Sequence, residues 1–308
     1  MSTIAAVGLH ATVRRSGLLL PDRVSDQITA AIDAGQHLAL TGVPGSGKTS
    51  LAHAVAEWGR EALRCTGYLP ITASVDWTPA ETVGGLHPGP AGPVFRSGLF
   101  LEAIEAGRWI VLDELDQLDP VRALGPLSTL LSGHPVVLPY RHPGRAGNLA
   151  MVPAGKPSPA GTDPVRVPAT WRIIATAGGP LNRATGAPPL ITGGLLRRFA
   201  FIEVPCPDDD GYRTLLAGPG HVVAELLPLR LERELGPGVF VDAARYAARR
   251  VATAPNASRL LLEVFTAYVL PQLGPLDDRA TRSVLDRLRP ILGRDELMEA
   301  AALLARQR

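Results

Sequence analysis

The sequence predicts an α/β protein: a parallel β-sheet covered by helices on both faces, followed by an all-helical C-terminal part. Three observations predict it. Short apolar runs alternate with segments of helical periodicity between residues 21 and 204. A glycine-rich loop stands between the first of these runs and the helix after it. Beyond Cys206-Pro207 the apolar runs stop and helical patterning continues to the C-terminus.

Pro21 to Ala34 reads as a helix, because Val24, Ile28, Ala31 and Ile32 recur at helical spacing and Gly35 is a stop signal. Gln36 to Thr41 is a short buried strand, and Ser50 to Leu63 a helix through Leu51, Ala54, Val55 and Trp58. Tyr68 to Ser74 is a second strand. Leu86 to Gly98 is too rich in Gly and Pro for a helix and reads as a loop or small hairpin. Leu99 to Ala106 is a short helix, and Trp109 to Leu112 a third strand ending at Asp113-Glu114. Val121 to Leu131 is a helix and Val136 to Pro139 a short strand. Arg141 to Pro164 is loop-like and expected to be mobile. Trp171 to Thr176 and Phe199 to Val204 complete the buried strands. The boundary then falls between an α/β domain over residues 1–206 and a helical domain over residues 207–308. Asp208-Asp209-Asp210 opens the latter as a helix cap.

The chain of 308 residues is long enough for a sizeable core, and its net charge of +2 argues against a general nucleic-acid coat. The 32 Gly and 29 Pro imply numerous loops. Cys65 and Cys206 have neither metal spacing nor a CxxC pattern and read as reduced intracellular thiols. Arg14 and Arg15 follow the weak apolar N-terminal stretch, the reverse of a signal peptide, and no apolar run reaches the roughly 18 residues of a membrane span. A cytoplasmic protein is expected. The seven His are scattered, and Trp58, Trp77, Trp109 and Trp171 read as core or interface anchors. The arginines from Arg279 to Arg308 sit among acidic residues as a solvated helical face.

The strongest chemical signal is Gly42-Val43-Pro44-Gly45-Ser46-Gly47-Lys48-Thr49-Ser50, placed after a strand and opening a helix. Successive backbone N–H groups of such a loop curl around phosphates, Gly standing where a Cβ would collide, and the helix end adds its positive pole. Lys48 would reach the outer phosphates and Thr49 would offer its hydroxyl to Mg²⁺. The strand Ile110-Val111-Leu112 delivers Asp113 to the C-terminal edge of the sheet, where it would hold Mg²⁺, with Glu114 polarising the attacking water.

With these residues in hand, the chain resembles the AAA+ ATPases of the dynein- and midasin-related branch, which includes the MoxR-type chaperones and the motor subunit of McrBC-type restriction systems. The resemblance runs from about Leu18 to Leu262. It is carried by Gly17-Leu18-Leu19-Leu20-Pro21, by Asp76-Trp77 with Glu81-Thr82-Val83-Gly84-Gly85, and by Gly98-Leu99-Phe100-Leu101-Glu102-Ala103-Ile104. It extends through Gly125-Pro126-Leu127, Leu130-Leu131-Ser132-Gly133 and Leu138-Pro139 to Leu196-Arg197-Arg198-Phe199-Ala200-Phe201. The resemblance implies an ATPase domain to about Cys206, a helical lid after it, nucleotide between the two, and a ring of identical subunits with a hexamer as the expected count. It makes Arg197 and Arg198 arginine-finger candidates without choosing between them, and Arg259, in Asn256-Ala257-Ser258-Arg259, the second sensor on the lid. Leu86 to Gly98 and Arg141 to Pro164 become candidate pore loops.

Two departures from the family pattern bear on rate. Gly178 stands where relatives carry the Asn of the first sensor, with Thr176 or Asn182 as substitutes, and Asp116-Gln117 stand where relatives tend to carry Asn-Arg. The resulting expectation is an Mg²⁺-dependent ATPase, slowed by Gly178, that remodels or drives a partner protein as a MoxR-like chaperone or a McrB-like motor subunit. Any nucleic-acid contact would be made indirectly, and no membrane is involved. The absence of an Asn-Lys-x-Asp guanine reader favours ATP, while the restriction-type relatives keep GTP open. The rival is a nucleotide-dependent switch that hydrolyses weakly or not at all. A small-molecule kinase fits the glycine loop but neither Arg197-Arg198 nor the lid.

Overall fold

Alternate residues of the central strands enter two different cores, as a sheet covered on both faces requires. In β1 (His37–Thr41), Leu38 and Leu40 join one cluster and Ala39 the other. In β5 (Arg108–Asp113), Trp109 and Val111 separate in the same way from Ile110 and Leu112. With β2 (Gly67–Thr72), β9 (Ile173–Ala177) and β10 (Phe199–Glu203) these strands form one parallel sheet in the order β10-β1-β9-β5-β2. The five strands are those the sequence predicts. The computed structural model describes residues 2–90, 92–142, 144–178, 197–218 and 220–306.

One face of the sheet carries α1 (Ser2–Arg15), α2 (Asp22–Asp33) and α3 (Lys48–Glu61), through Leu9, Val13, Val24, Ile28, Leu51 and Val55. The other carries α5 (Leu99–Glu105) and α6 (Pro120–Leu131), through Phe100, Leu101, Leu124 and Leu127. A short helix α4 (Pro79–Thr82), closed by a capping box from Thr78 and Glu81, leads into the hairpin of β3 (Gly84–His87) and β4 (Val94–Ser97). α1 was not read from the sequence. Its weak apolar stretch becomes a helix because Leu9 and Val13 pack into the same cluster as Val24 and Trp58, and Arg15 pairs with Glu61 at 2.8 Å.

Arg141 to Pro164 is a correction to the loop-like reading. β6 (Val136–Val137), β7 (Asn148–Pro153) and β8 (Thr162–Val167) form a second sheet, with β7 antiparallel to β6 and parallel to β8. Leu149-Ala150-Met151-Val152 is fully buried. The apolar run Leu149–Val152 lies amid Gly- and Pro-rich sequence on both sides, which reads as loop by composition. His142 and Arg145 tie the preceding turn to Asp163 on β8 at 2.9 and 3.0 Å.

Contacts divide the chain into two compact units, one of Met1–Gly42 with Lys48–Val204 and one of Val43–Gly47 with Pro205–Arg308. The second unit is helical around a core containing Tyr212, Phe240, Phe265, Leu270 and Val284. Its first helix, Asp209–Leu215, is capped by the Asp208 carboxylate, which accepts from the Gly211 N–H at 2.9 Å. A 3₁₀ segment, His221–Leu231, and the helices Pro237–Arg250, Ala257–Val264, Asp278–Leu288 and Arg294–Ala305 follow. No helix among the described residues is long and apolar enough to cross a membrane.

His37 makes the sheet sensitive to pH. Its ring is 8% exposed, lies against Trp171 and Phe199, and accepts the Ile173 N–H on Nδ1 at 3.0 Å. Burial, and then the charges of Arg172 and Arg198, lower its pKa to about 3. The unfolded chain binds a proton at His37 below about pH 6.5, whereas the folded chain does not until near the lowered value. The contribution of His37 is therefore complete above pH 6.5 and is lost as pH falls towards 3. Denaturant unfolding is expected to show wild type losing about 2 kcal/mol more than His37→Asn between pH 7 and pH 5. Equal losses in the two proteins would contradict the neutral, buried imidazole.

Candidate functional site

At the end of β1 the chain passes through Gly42 into the glycine loop and enters α3 at Lys48. Gly45 and Gly47 take φ of 76° and 96°, left-handed values that any Cβ disfavours. Lys48 Nζ donates to the Gly42 carbonyl at 2.9 Å, folding the side chain back over the strand end. Within the loop, Ser46 N–H donates to Val43 C=O at 3.1 Å, while Ser46 Oγ is buried without a hydrogen-bond partner among the described residues. A buried hydroxyl left unpaired costs about 1–3 kcal/mol, so it marks a position where an acceptor would be stabilised.

The carboxylate cluster is assembled by strand register. β5 and β9 pair Leu112 with Ala175, which sets Asp113 and Thr176 one step further along at the C-terminal edge. Thr49, in the first turn of α3, donates its hydroxyl to Asp113 Oδ1 at 2.9 Å. The Thr176 hydroxyl also donates to Asp113 Oδ1. Its oxygen in turn accepts the Glu114 N–H at 3.1 Å. Glu114 sits at φ 57° and ψ 48°, a left-handed conformation costing about 1–2 kcal/mol in a residue with a Cβ. Its side chain is exposed. The hydroxyl of Thr49 and the carboxylate of Asp113 are hard oxygen donors and fit a magnesium ion in kind.

Around this cluster, Asp116 Oδ1 accepts from the Gly178 N–H at 3.2 Å, so these two positions touch each other. Arg198 donates its Nη2 to the Ser132 carbonyl at 3.0 Å, and its own carbonyl accepts from the His37 N–H. Arg197, beside it, is exposed. Arg259 lies in the helical unit on Ala257–Val264, where Nη1 pairs with Glu299 Oε2 at 2.6 Å. The Glu299 carboxylate raises its pKa. Asn182 and Leu196 lie outside the described residues.

The family model described as AAA domain (dynein-related subfamily) matches residues 37–190, half of the chain. The chain belongs to that family. The matched span of this AAA domain contains Lys48, Thr49, Asp113, Glu114 and Thr176, and stops short of Arg197, Arg198 and Arg259. Among solved structures, the chain is similar to NtrX from Brucella abortus in complex with ADP, with 16% identity and a TM-score of 0.43. That likeness covers 91% of this chain, which spans 63% of the length of the other. No curated protein matches.

Sequence reasoning missed one contributor to the AAA domain's glycine loop. Gly236 and Gly238, in the Gly-Pro-Gly that interrupts the helical pattern beyond Pro207, are that contributor. Their N–H groups donate to the Pro44 and Gly45 carbonyls at 3.1 and 2.9 Å. A Cβ on Gly236 would fall 2.3 Å from the Gly45 carbonyl carbon and 2.5 Å from Ser46 N. The signal was present as Gly-Pro-Gly, but nothing in the sequence said which backbone it approaches. Gly236→Ala is expected to cost about 1–3 kcal/mol in denaturant unfolding, the range for overpacking. Gly125→Ala, where a Cβ meets open space, serves as the control. Equal stability of the two variants would contradict the close approach.

Proposed function

We propose that this AAA domain binds ATP with Mg²⁺ and hydrolyses it within a ring of copies of the same chain, driving a partner protein. The observation that carries the reading is the Thr49 hydroxyl on the Asp113 carboxylate at 2.9 Å, directly after a glycine loop. In this reading the loop from Gly42 to Ser50 holds the phosphates, Lys48 reaches the outer ones, and Thr49 with Asp113 would hold Mg²⁺. The ion, when bound, neutralises charge on the phosphate oxygens. Glu114 takes a proton from a water as that water adds to the γ-phosphorus. The bond to the bridging oxygen breaks, and ADP and phosphate leave. Arg197 or Arg198 acts on the site of a neighbouring copy, and Arg259 belongs to a lid domain over residues 207–308. The partner is a client remodelled in the manner of MoxR-like chaperones or a complex driven in the manner of McrB-like motors, and GTP is the alternative nucleotide.

The test is phosphate release by the purified chain from ATP and from GTP, with Mg²⁺, over a range of protein concentrations and beside Lys48→Ala. Activity per subunit that rises with concentration and vanishes in the variant supports a ring ATPase and names its nucleotide. A chain that binds neither nucleotide overturns the reading. Gly178 favours a second reading, a nucleotide-dependent assembly switch, which tight ATP binding without turnover would select.

A further inference from the structure

Gly178 has no side chain to offer the reacting groups, and its N–H is already committed to Asp116. A Cβ at this position would stand 3.4 Å from Asp116 Oδ2, in ordinary contact with the carboxylate that already holds the backbone. The end of β9 is therefore organised around something other than residue 178. Two residues earlier, Thr176 is 2% exposed and held between β1 and β5, opposite Leu40.

A threonine hydroxyl has one proton and two lone pairs. At Thr176 the proton goes to Asp113 Oδ1 and a lone pair takes the Glu114 N–H. One hydroxyl thus fixes both acidic residues, the first through its carboxylate and the second through its backbone. The second bond matters because Glu114 stands in a left-handed conformation that a residue with a Cβ leaves readily unless its surroundings hold it. Releasing that amide would let the backbone turn and carry the Glu114 carboxylate away. Thr176 is suited to the task because it sits inside a parallel sheet rather than on a loop.

We propose that Thr176 is the positioning residue of the hydrolytic pair, aligning Asp113 and Glu114 through a single shared hydroxyl and making the side chain at position 178 dispensable. This inference rests on the ATPase reading given above, and its test separates the two.

The experiment uses the full chain with Thr176→Val, which keeps the shape and removes the hydroxyl, Thr176→Ser, which restores the hydroxyl, and Gly178→Asn. Thr176→Val is expected to lower kcat for ATP about 10- to 100-fold, the range for losing one hydrogen bond in a catalytic site, with KM changed about twofold at most. Thr176→Ser is expected to recover to within about threefold of wild type, and Gly178→Asn to gain nothing. Thr176→Val at wild-type kcat, Thr176→Ser as impaired as Thr176→Val, or a large gain in Gly178→Asn each overturns the proposal. Should Thr176→Val fold poorly by circular dichroism, Thr176→Ala takes its place against Thr176→Ser. If wild type shows no turnover, the ATPase reading fails, and calorimetric ATP binding with and without Mg²⁺ decides the positioning role. The gain in affinity from Mg²⁺ is then expected to fall severalfold in Thr176→Val and to be kept in Thr176→Ser, and equal gains in both overturn it.

Discussion

Glu114→Gln is expected to bind ATP as tightly as wild type and to release phosphate about 10²- to 10⁴-fold more slowly, the usual contribution of a general base. The substitution is nearly isosteric and leaves the backbone of Glu114 as it is, so the amide can still donate to the Thr176 hydroxyl. What it removes is the ability to take a proton from water. Affinity measured by calorimetry and turnover measured by phosphate release therefore separate, whereas Lys48→Ala, which removes a positive charge from the glycine loop, is expected to lose both. Turnover of Glu114→Gln within about threefold of wild type would remove Glu114 as the base. Asp116 would then become the carboxylate to test, since it lies at the same strand end and contacts the Gly178 N–H.

Legibility in the sequence followed the length and regularity of each signal. All five central strands were readable because each is an apolar run bounded by turn residues, and the glycine loop was readable because its spacing is stringent. The cluster at Asp113 was legible as a list of residues but not as a geometry. Thr176 lies 62 positions from Glu114 in sequence, and only the β5–β9 register brings the two together. Gly236 was invisible for the same reason, its N–H acting on a carbonyl far away in the chain. β7 and β8 were missed on local grounds. They lie amid Gly- and Pro-rich sequence, carry Pro153 and Pro164 themselves, and become strands by pairing with each other rather than by propensity.

Gly178 and Asp116 show the same limit. Taken one at a time, Gly178 reads as a lost polar contact and Asp116-Gln117 as a lost positive charge at a subunit interface. The hydrogen bond between them makes them one local arrangement. Residues in contact do not contribute additively. Gly178→Asn therefore places its side chain beside the Asp116 carboxylate.

The second large effect concerns the arginines before β10. Both are exposed; Arg198 is engaged locally through Ser132 and through the carbonyl that accepts from His37, whereas the Arg197 side chain makes no hydrogen bond or ion pair among the described residues. Arg197→Ala is accordingly expected to lower turnover about 10³- to 10⁵-fold, the range for arginine fingers in phosphoryl transfer, and Arg198→Ala to act mainly on stability. The decisive measurement mixes two inactive proteins. An Arg197→Ala subunit keeps Glu114, and a Glu114→Gln subunit keeps Arg197, so a ring containing both holds some complete sites if the arginine acts on its neighbour. Random one-to-one mixing makes about a quarter of the sites complete, and turnover is expected to return towards that fraction of wild type. No recovery, with both parents folded and binding ATP, would mean that Arg197 serves its own subunit or none, and the ring would lose its chief support.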